Sequence, residues 1–173
     1  YKAIYINSLL PHMLADWAKV RKKRVIHFST DCVFDGKDGN YTEESLTNSE
    51  DVYGRTKALG EINYQHTLTI RSSFIGNELF SHSEILEWFL NQKESSVQGF
   101  TKAMYTGVST IVLARIIEGI IIHHPNLSGL WQLAIDSPIS KFDLLILAKK
   151  AFNLDTLIVP NDFIIFPAIV FIG

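Results

Sequence analysis

Two short segments of the chain combine residue types that could carry out acid–base chemistry. The first is an apolar run, residues 25–28, that passes directly into Ser29, Thr30 and Asp31. An apolar run of this length is typical of a buried parallel strand. Ligands of open α/β sheets bind at the carboxyl ends of the strands, so we expect these hydroxyl and carboxylate groups to line a binding site.

The second segment places Tyr53 and Lys57 four residues apart in a stretch whose pattern predicts a helix. Residues at this spacing share one helix face. A phenol has an ordinary pKa near ~10, and an ammonium group a few ångströms away would lower it. With a strand-end hydroxyl, such a pair could polarise a carbonyl group and give it a proton. A single Tyr-x-x-x-Lys pattern is common by chance, and a half-exposed helix pair is its simpler interpretation, but the two segments together are far more specific.

Helical and extended patterns alternate along the chain and would position these residues. The spacing predicts helices over residues 4–18, 53–64, 110–122 and 141–152, a further helix after Ser81 with apolar positions Ile85, Leu86, Phe89 and Leu90, and strands over residues 25–28, 67–70, 130–134 and 157–159. Candidate helix caps are Ser81 with Glu84, Ser109 or Thr110, and Ser140. Residues 35–51 are polar and predict a loop. This alternation predicts an α/β fold with a parallel sheet.

Composition excludes several classes of protein. The 173 residues are 47% hydrophobic and 20% charged, with a net charge of −2, which argues against a disordered tail, a collagen-like fibre and a basic nucleic-acid-binding module. Cys32 is the single cysteine, so we expect a reducing compartment. The apolar tract 163–172 is too short to span a bilayer, and His123–His124 lacks a third metal ligand at useful spacing. We expect a soluble, cytoplasmic protein without a metal site, a membrane partner or a nucleic-acid partner.

The sequences VIHFSTDCVFDG (residues 25–36) and YGRTKALGE (residues 53–61) together resemble the extended short-chain dehydrogenase/reductase superfamily. Within it, the chain is most similar to the dTDP-4-dehydrorhamnose reductase, or sugar-nucleotide reductase, branch. Residues 6–15, 71–76 and 129–133 resemble further family segments in the same order. The resemblance implies a partial Rossmann-like, doubly wound parallel sheet over residues 1–75, which carries the catalytic motifs. A small substrate-binding portion would follow over residues 76–173.

The resemblance also implies an activity, the NAD(P)H-dependent reduction of a nucleotide-linked 4-keto-6-deoxy sugar. Tyr53 would protonate the C4 oxygen, Lys57 would lower the pKa of Tyr53 and hold the nicotinamide ribose, and Thr30 would hydrogen-bond the same oxygen. Asn7 would face this centre from its helix. The implied cofactor contacts are Ser29, Tyr53, Lys57, Arg71 and Ser72, and the implied substrate contacts are Asp31, Cys32 and Gln132. NADPH or NADH would supply the hydride.

The sequence departs from the family pattern at two substituted residues, in the stretch after Phe152, which no longer follows the pattern, and in the lack of a glycine-rich turn. Cys32 replaces an aromatic residue, and Gln132 stands where histidine is common. No glycine-rich turn joins a strand to a helix, and such a turn is what normally holds a dinucleotide pyrophosphate. We therefore expect the sequence to be a fragment without the N-terminal dinucleotide-binding half of the family fold.

Two alternatives to the reductase remain open from the sequence. One is a nucleotide-sugar epimerase or dehydratase of the same superfamily. The other is a non-catalytic regulatory member that binds a sugar nucleotide or NAD(P); the departures at Cys32 and Gln132 favour it, and the Tyr53–Lys57 pair disfavours it. A homodimer is also left open.

Overall fold

The computed structural model describes residues 1–78, 84–92 and 94–163, in which helices and strands alternate. The helices are α1 (Leu10–Val20), α2 (Val52–Leu59), α3 (Ile85–Leu90), α4 (Thr110–His123) and α5 (Lys141–Phe152). The strands are β1 (Val25–Ser29), β2 (Thr67–Arg71), β3 (Phe74–Ile75), β4 (Ser96–Phe100), β5 (Met104–Tyr105), β6 (Val108–Ser109), β7 (Gly129–Gln132), β8 (Ile139–Ser140) and β9 (Leu157–Asn161). The predicted α/β fold class is confirmed.

A parallel three-stranded sheet in the order β1–β2–β7 forms the centre of the fold. All five residues of β2 are buried, as expected for the middle strand of a parallel sheet. The register pairs Ser29 with Arg71 and Arg71 with Gln132, so these three residues lie side by side at the carboxyl edge of the sheet. The predicted site residues of three different segments therefore come to one edge.

The first helical segment changes its hydrogen-bonding pattern along its length. Residues Ile4–Leu9 form a π-helix, and α1 continues from Leu10. Pro11 has no amide hydrogen to donate to the carbonyl of Asn7, and its ring crowds that carbonyl. The sequence predicts a helix over residues 4–18 but not this change of pitch, which in other proteins is frequent at functional sites.

Helix α2 is shorter than the sequence predicts. It ends at Leu59, where Gly60 lies directly against the backbone of Asn7. A Cβ atom at position 60 would overlap the carbonyl oxygen of Asn7, so this close approach requires glycine. At the other end, the Asp51 carboxylate accepts a hydrogen bond from the amide of Gly54 at 2.9 Å and caps the helix.

Beyond the central sheet, the described residues form three two-stranded pairings, and the second part of the chain has a separate core. β4 pairs with β9 and β3 with β6 in parallel, whereas β5 and β8 are antiparallel. Phe89, Val97, Leu145 and Ile158 form a buried cluster between α3, α5, β4 and β9. In the second part of the chain, the sequence predicts the three helices and the strands β7 and β9. It does not predict β4, β5, β6 or β8.

The predicted serine caps of α4 and α5 are present in the structure. Ser109 and Ser140 each accept a hydrogen bond from an amide of the following first turn, at 3.3 and 3.0 Å. Ser81, the first residue of the predicted capping box, lies outside the described residues. Glu84 occupies the N-cap position of α3 without a side-chain capping bond.

The predicted division at residue 75 stays a prediction. Strand β7 belongs to the second part of the sequence but pairs with β2 of the first, so the two parts share the central sheet. The apolar tract 163–172 lies outside the described residues except for Phe163. No helix within the described ranges is both long and apolar enough to cross a bilayer.

Candidate active site

The carboxyl end of β1 presents a threonine hydroxyl in a tight turn. Thr30 caps a 3-10 helical turn, Asp31–Val33. Its hydroxyl oxygen accepts a hydrogen bond from the amide of Cys32 at 3.2 Å, and its hydroxyl group donates one to Oδ1 of Asp31 at 3.1 Å. Thr30 and Asp31 are both buried. These bonds hold the strand-end hydroxyl in a fixed direction.

Helix α2 packs directly on this turn and brings Tyr53 to Thr30. The backbone of Gly54 approaches the carbonyl of Cys32 so closely that a Cβ atom at position 54 would overlap it. The Tyr53 phenol lies close enough to the Thr30 hydroxyl for that group to lower its pKa, and 51% of the Tyr53 surface remains exposed. Two of the three predicted catalytic side chains therefore meet, and one of them is open to solvent.

The surroundings of Tyr53 keep its phenol protonated. Burial raises the pKa of Tyr53 above its ordinary value of 10.0, and the nearby Cys32, Asp31 and Glu84 act in the same direction. The nearby Thr30 hydroxyl lowers the pKa of Tyr53 but does not reverse the shift. The phenol carries its proton at neutral pH, as a general acid must.

Lys57 lies one turn after Tyr53, and its ammonium group is bound to β1. Nζ donates a hydrogen bond to the carbonyl oxygen of Phe28 at 2.6 Å. Burial lowers the pKa of Lys57, and the negative charge of Glu61 opposes this shift. The expectation that the pKa of Tyr53 is lowered is wrong in this structure, because the burial of the phenol outweighs the lowering effects. The catalytic and ribose-binding roles of Lys57 stay predictions.

A buried ion pair that the sequence did not predict holds the ends of β1 and β2 together. Arg71 forms two hydrogen bonds of 2.7 Å with the carboxylate of Glu61, and 3% of the Arg71 side chain is exposed. The Ser29 hydroxyl donates to the same carboxylate at 2.7 Å. Cofactor contacts by Ser29 and Arg71 stay predictions, since both side chains are bound to Glu61. The sequence feature that could have indicated this ion pair is Glu61, the acidic residue at the end of the motif YGRTKALGE.

Gln132, at the end of β7, is held by two hydrogen bonds to the polar loop of residues 35–51. Its backbone amide donates to Oε1 of Glu43 at 2.8 Å, and its side-chain Nε2 donates to the carbonyl of Tyr41 at 2.8 Å. Oε1 of Gln132 is buried and has no hydrogen-bond partner within the described part of the chain. The predicted substrate contact of Gln132 stays a prediction.

Cys32 and Ser72, two further predicted contacts, are held within the protein. Burial raises the pKa of the Cys32 thiol to about 11, and the negative charge of Asp31 adds to this effect, so the thiol is neutral at physiological pH. Ser72 is buried, and its hydroxyl donates to the carbonyl of Leu133 at 2.9 Å. The roles of Asp31, Cys32 and Ser72 in ligand binding stay predictions.

Asn7 supports the site through α2. Its side-chain Nδ2 donates to Oγ1 of Thr56 at 3.1 Å, and the neighbouring Ser8 hydroxyl donates to the Thr56 carbonyl at 2.8 Å. Both bonds anchor α2 one residue before Lys57. The described contact of Asn7 is therefore with the helix that carries the site, and its expected position facing the centre stays a prediction.

A tyrosine and a lysine one turn apart on a helix, packed against a strand-end threonine of a parallel sheet, define a site of the short-chain dehydrogenase/reductase class. Comparison with known families places the chain more narrowly. It belongs to the RmlD substrate binding domain family, whose model matches residues 1–154. The resemblance to the sugar-nucleotide reductase branch is confirmed.

Two curated reductases are similar to part of the chain. The dTDP-4-dehydrorhamnose reductase of Sinorhizobium fredii (strain NBRC 101917 / NGR234) is 41% identical over 81 residues, 43% of this chain and 27% of that protein. The dTDP-4-keto-6-deoxy-D-glucose reductase of Streptomyces niveus is 40% identical over 60 residues, 34% of this chain and 21% of that protein. The aligned segments span about a quarter of the length of these relatives.

Solved structures share the fold over nearly the whole chain. The crystal structure of a hypothetical dTDP-4-dehydrorhamnose reductase from Sulfolobus tokodaii matches with a TM-score of 0.81 and 29% identity, over 98% of this chain and 63% of that one. The dTDP-4-dehydrorhamnose reductase of Bacillus anthracis str. Ames in complex with NADP matches with a TM-score of 0.79 and 17% identity, over 96% of this chain and 62% of that one. At 17% identity, the likeness to the Bacillus anthracis structure shows the fold alone. Both solved chains extend well beyond the part that matches this protein.

Proposed function

We propose that this protein catalyses the NAD(P)H-dependent reduction of a nucleotide-linked 4-keto-6-deoxy sugar. The observation that carries the proposal is the proximity of the Thr30 and Tyr53 hydroxyl groups at the carboxyl end of β1, with Lys57 one turn further along α2. Two hydroxyl groups that meet at one point can bind the same carbonyl oxygen and stabilise the negative charge that develops on it during reduction. The names of the curated relatives support this substrate class.

Tyr53 is the general acid in this proposal. Its raised pKa keeps the proton on the phenol until the sugar C4 oxygen becomes basic enough to take it. Thr30 fixes the direction of the phenol and lies beside the same oxygen. Asp31 and Cys32 follow Thr30 in the turn, where they would contact the sugar.

A nicotinamide dinucleotide would supply the hydride when bound. The residues present fit its nicotinamide–ribose end: the Lys57 ammonium has three donors, and its described hydrogen bond to Phe28 uses one of them. Tyr53 and Ser72 are the other proposed contacts at this end. The 173 residues hold no glycine-rich strand-to-helix turn for the pyrophosphate.

The remaining expectations about partners and location also belong to this proposal. The net charge of −2 supports a protein without a nucleic-acid partner. The single cysteine allows no intrachain disulfide bond. Because proteins without disulfides are typical of reducing compartments, this composition supports a cytoplasmic location. Either a monomer or a homodimer is compatible with the proposed reaction.

Replacing Tyr53 by Phe in the natural full-length protein tests the mechanism. We expect turnover of dTDP-4-keto-6-deoxyglucose, followed by NADPH consumption, to fall by roughly 100-fold or more, the scale of general acid catalysis. Tyr5→Phe is the matched control, because Tyr5 is 52% exposed and Tyr53 is 51% exposed. Unchanged turnover in the Tyr53 variant would remove this tyrosine from the mechanism.

The same assay separates the alternative functions. An epimerase or dehydratase would convert the sugar nucleotide without net consumption of NAD(P)H. A non-catalytic regulatory protein, which the unusual residues Cys32 and Gln132 favour, would show no turnover and would instead be recovered with a stoichiometric partner enzyme. Steady NADPH consumption with the keto sugar supports the reductase over both.

A further inference from the structure

Residues 105–108 form a short segment of the second part of the chain that lies against the carboxyl edge of the central sheet. The amide of Val108 donates a hydrogen bond of 3.0 Å to the carbonyl of Ser73, which follows the end of β2. The carbonyl of Thr106 accepts one of 2.9 Å from the amide of Ile135, which follows the end of β7. The backbone of this segment is therefore fixed beside the strand ends that carry the site.

The side chain of Tyr105, the first residue of this segment, folds back over Gly107. A Cβ atom at position 107 would overlap both the phenol oxygen of Tyr105 and the carbonyl oxygen of Ser73. The phenol oxygen is buried and has no hydrogen-bond partner within the described part of the chain. Tyr64 differs in this respect, because its hydroxyl group is hydrogen-bonded to His12. Leaving a buried hydroxyl group without a partner costs free energy, so native proteins normally supply one.

The phenol of Tyr105 lies in the same electrostatic environment as the phenol of Tyr53. Burial raises the pKa of Tyr105 above its ordinary value of 10.0, and the negative charges of Asp31 and Glu84 add to this shift. Tyr53, whose pKa is raised first by burial, also responds to these two carboxylates. Tyr105 therefore keeps its proton at neutral pH and is a hydrogen-bond donor near the turn that begins at Thr30.

The hydroxyl group of Tyr105 can turn toward a ligand without losing a hydrogen bond. The side chain is half-buried, and no described residue accepts a hydrogen bond from it. A side-chain rotation is a fast, local motion that needs no change in the backbone. The backbone of the two residues that pair with Ser73 and Ile135 stays fixed meanwhile. A donor with these properties suits the recognition of a polar group on a ligand.

We propose that Tyr105 is a specificity-determining residue, whose phenol donates a hydrogen bond to an oxygen of the sugar bound beside Thr30 and Tyr53. This inference rests on the proposed function, because it takes the ligand of the site to be a sugar nucleotide. It adds a contact from the second part of the chain that the sequence did not predict. A sugar oxygen accepts such a bond, whereas an apolar group in its place leaves the Tyr105 hydroxyl without a partner. Tyr105 therefore favours ligands that carry an oxygen at this point.

Tyr105→Phe in the natural full-length protein removes the hydroxyl group and keeps the ring. We expect the KM for dTDP-4-keto-6-deoxyglucose to rise by about 3- to 10-fold, the effect of one neutral hydrogen bond. Because the hydroxyl contacts neither the reacting oxygen nor the cofactor, kcat should change by less than about twofold, and the KM for NADPH should stay the same. Tm should not fall, because the variant loses a buried hydroxyl that has no described partner.

Tyr64→Phe is the matched control. It makes the same chemical change at a hydroxyl group that already has a partner, His12, at 2.9 Å, and it should leave the KM for the sugar unchanged. An unchanged KM for the sugar in Tyr105→Phe overturns the inference. An equal rise in the KM for NADPH, or a lower Tm with an unchanged KM for the sugar, shows a structural role and overturns it as well.

Binding measurements separate this inference from the proposed reaction. If the wild-type protein consumes no NADPH with the keto sugar, the proposed reaction fails, and isothermal titration with dTDP-glucose and with dTDP then tests Tyr105 alone. The inference holds if Tyr105→Phe weakens the binding of dTDP-glucose by about 3- to 10-fold and leaves the binding of dTDP, which has no sugar beyond its nucleoside, unchanged. Equal effects on the two ligands, no effect on either, or no binding of dTDP-glucose by the wild type overturns it.

Discussion

At the level of single residues, the position of Tyr53 between a buried turn and solvent determines its chemistry. Its pKa lies above 10.0 because of burial and nearby negative groups, so the acid form is present below that value and is lost as the pH rises through it. We expect kcat/KM, which reports groups of the free enzyme, to stay constant on the alkaline side up to about pH 10. A pH profile measures this directly, and an alkaline decline centred near about pH 7 would show a lowered pKa instead.

The ion pair of Arg71 and Glu61 is a residue-scale feature with a large expected effect on stability. Glu61→Gln leaves the buried guanidinium of Arg71 without its charge partner and removes a charged acceptor of Ser29. We expect a loss of about 3–5 kcal/mol in the free energy of unfolding, measured by denaturant titration. The matched control is Lys37→Gln, which removes an ion pair at the surface and should leave stability nearly unchanged. A loss no larger than that of the control would show that the pair is not needed for stability.

The sequence predicts the positions of the site residues better than their interactions. Residue type and spacing are enough to place Thr30 and Tyr53 near each other, because both follow from a strand end and a helix packed on it. The partner of Lys57 depends on which backbone carbonyl is within its reach, and Phe28 has no sequence signal for that role. The contact between Glu61 and Arg71 joins residues ten positions apart through the geometry of the sheet, so spacing alone could not predict it.

At the level of secondary-structure elements, the contact of Gly60 with Asn7 sets the position of α2 against the π-helical segment. Gly60→Ala places a Cβ atom on the Asn7 carbonyl, and we expect a loss of about 1–3 kcal/mol in the free energy of unfolding. Gly119→Ala is the matched control, because no atom lies within 4 Å of a Cβ built at that position of α4. That control should gain about 0.5–1 kcal/mol from helix propensity. Equal effects in denaturant unfolding would contradict the close packing at position 60.

Long periodic elements are predictable from this sequence, and short or interrupted ones are not. Helices α4 and α5 follow from apolar spacing and serine caps, β1 follows from a compact apolar run, and β2 follows from the alternation of threonine with leucine and isoleucine. Strands β3, β5, β6 and β8 have two residues each, too few to show any alternation. The early end of α2 depends on a tertiary contact, and the π-helix depends on a proline inside an otherwise regular pattern.

At the level of the whole molecule, the two parts of the chain are linked by backbone hydrogen bonds as well as by β7. The amide of Val108 donates to the carbonyl of Ser73 at 3.0 Å, and the amide of Leu133 donates to the carbonyl of Arg71 at 2.8 Å. Both bonds lie next to the ends of β2 and β7, where the site residues are. These bonds therefore join the second part of the chain to the edge of the sheet that carries the site.

These links predict that the chain unfolds as one cooperative unit rather than as two domains divided at residue 75. Leu145→Ala creates a cavity in the second core, where Leu145 is 3% exposed, and should cost about 2–5 kcal/mol. If unfolding is cooperative, hydrogen-exchange protection falls by the same factor at Val97 of β4 and at Ile70 of β2, because both amides then exchange through one global opening. A decrease confined to β4 would show that the second core opens independently, and the site at the end of β2 would then not depend on it.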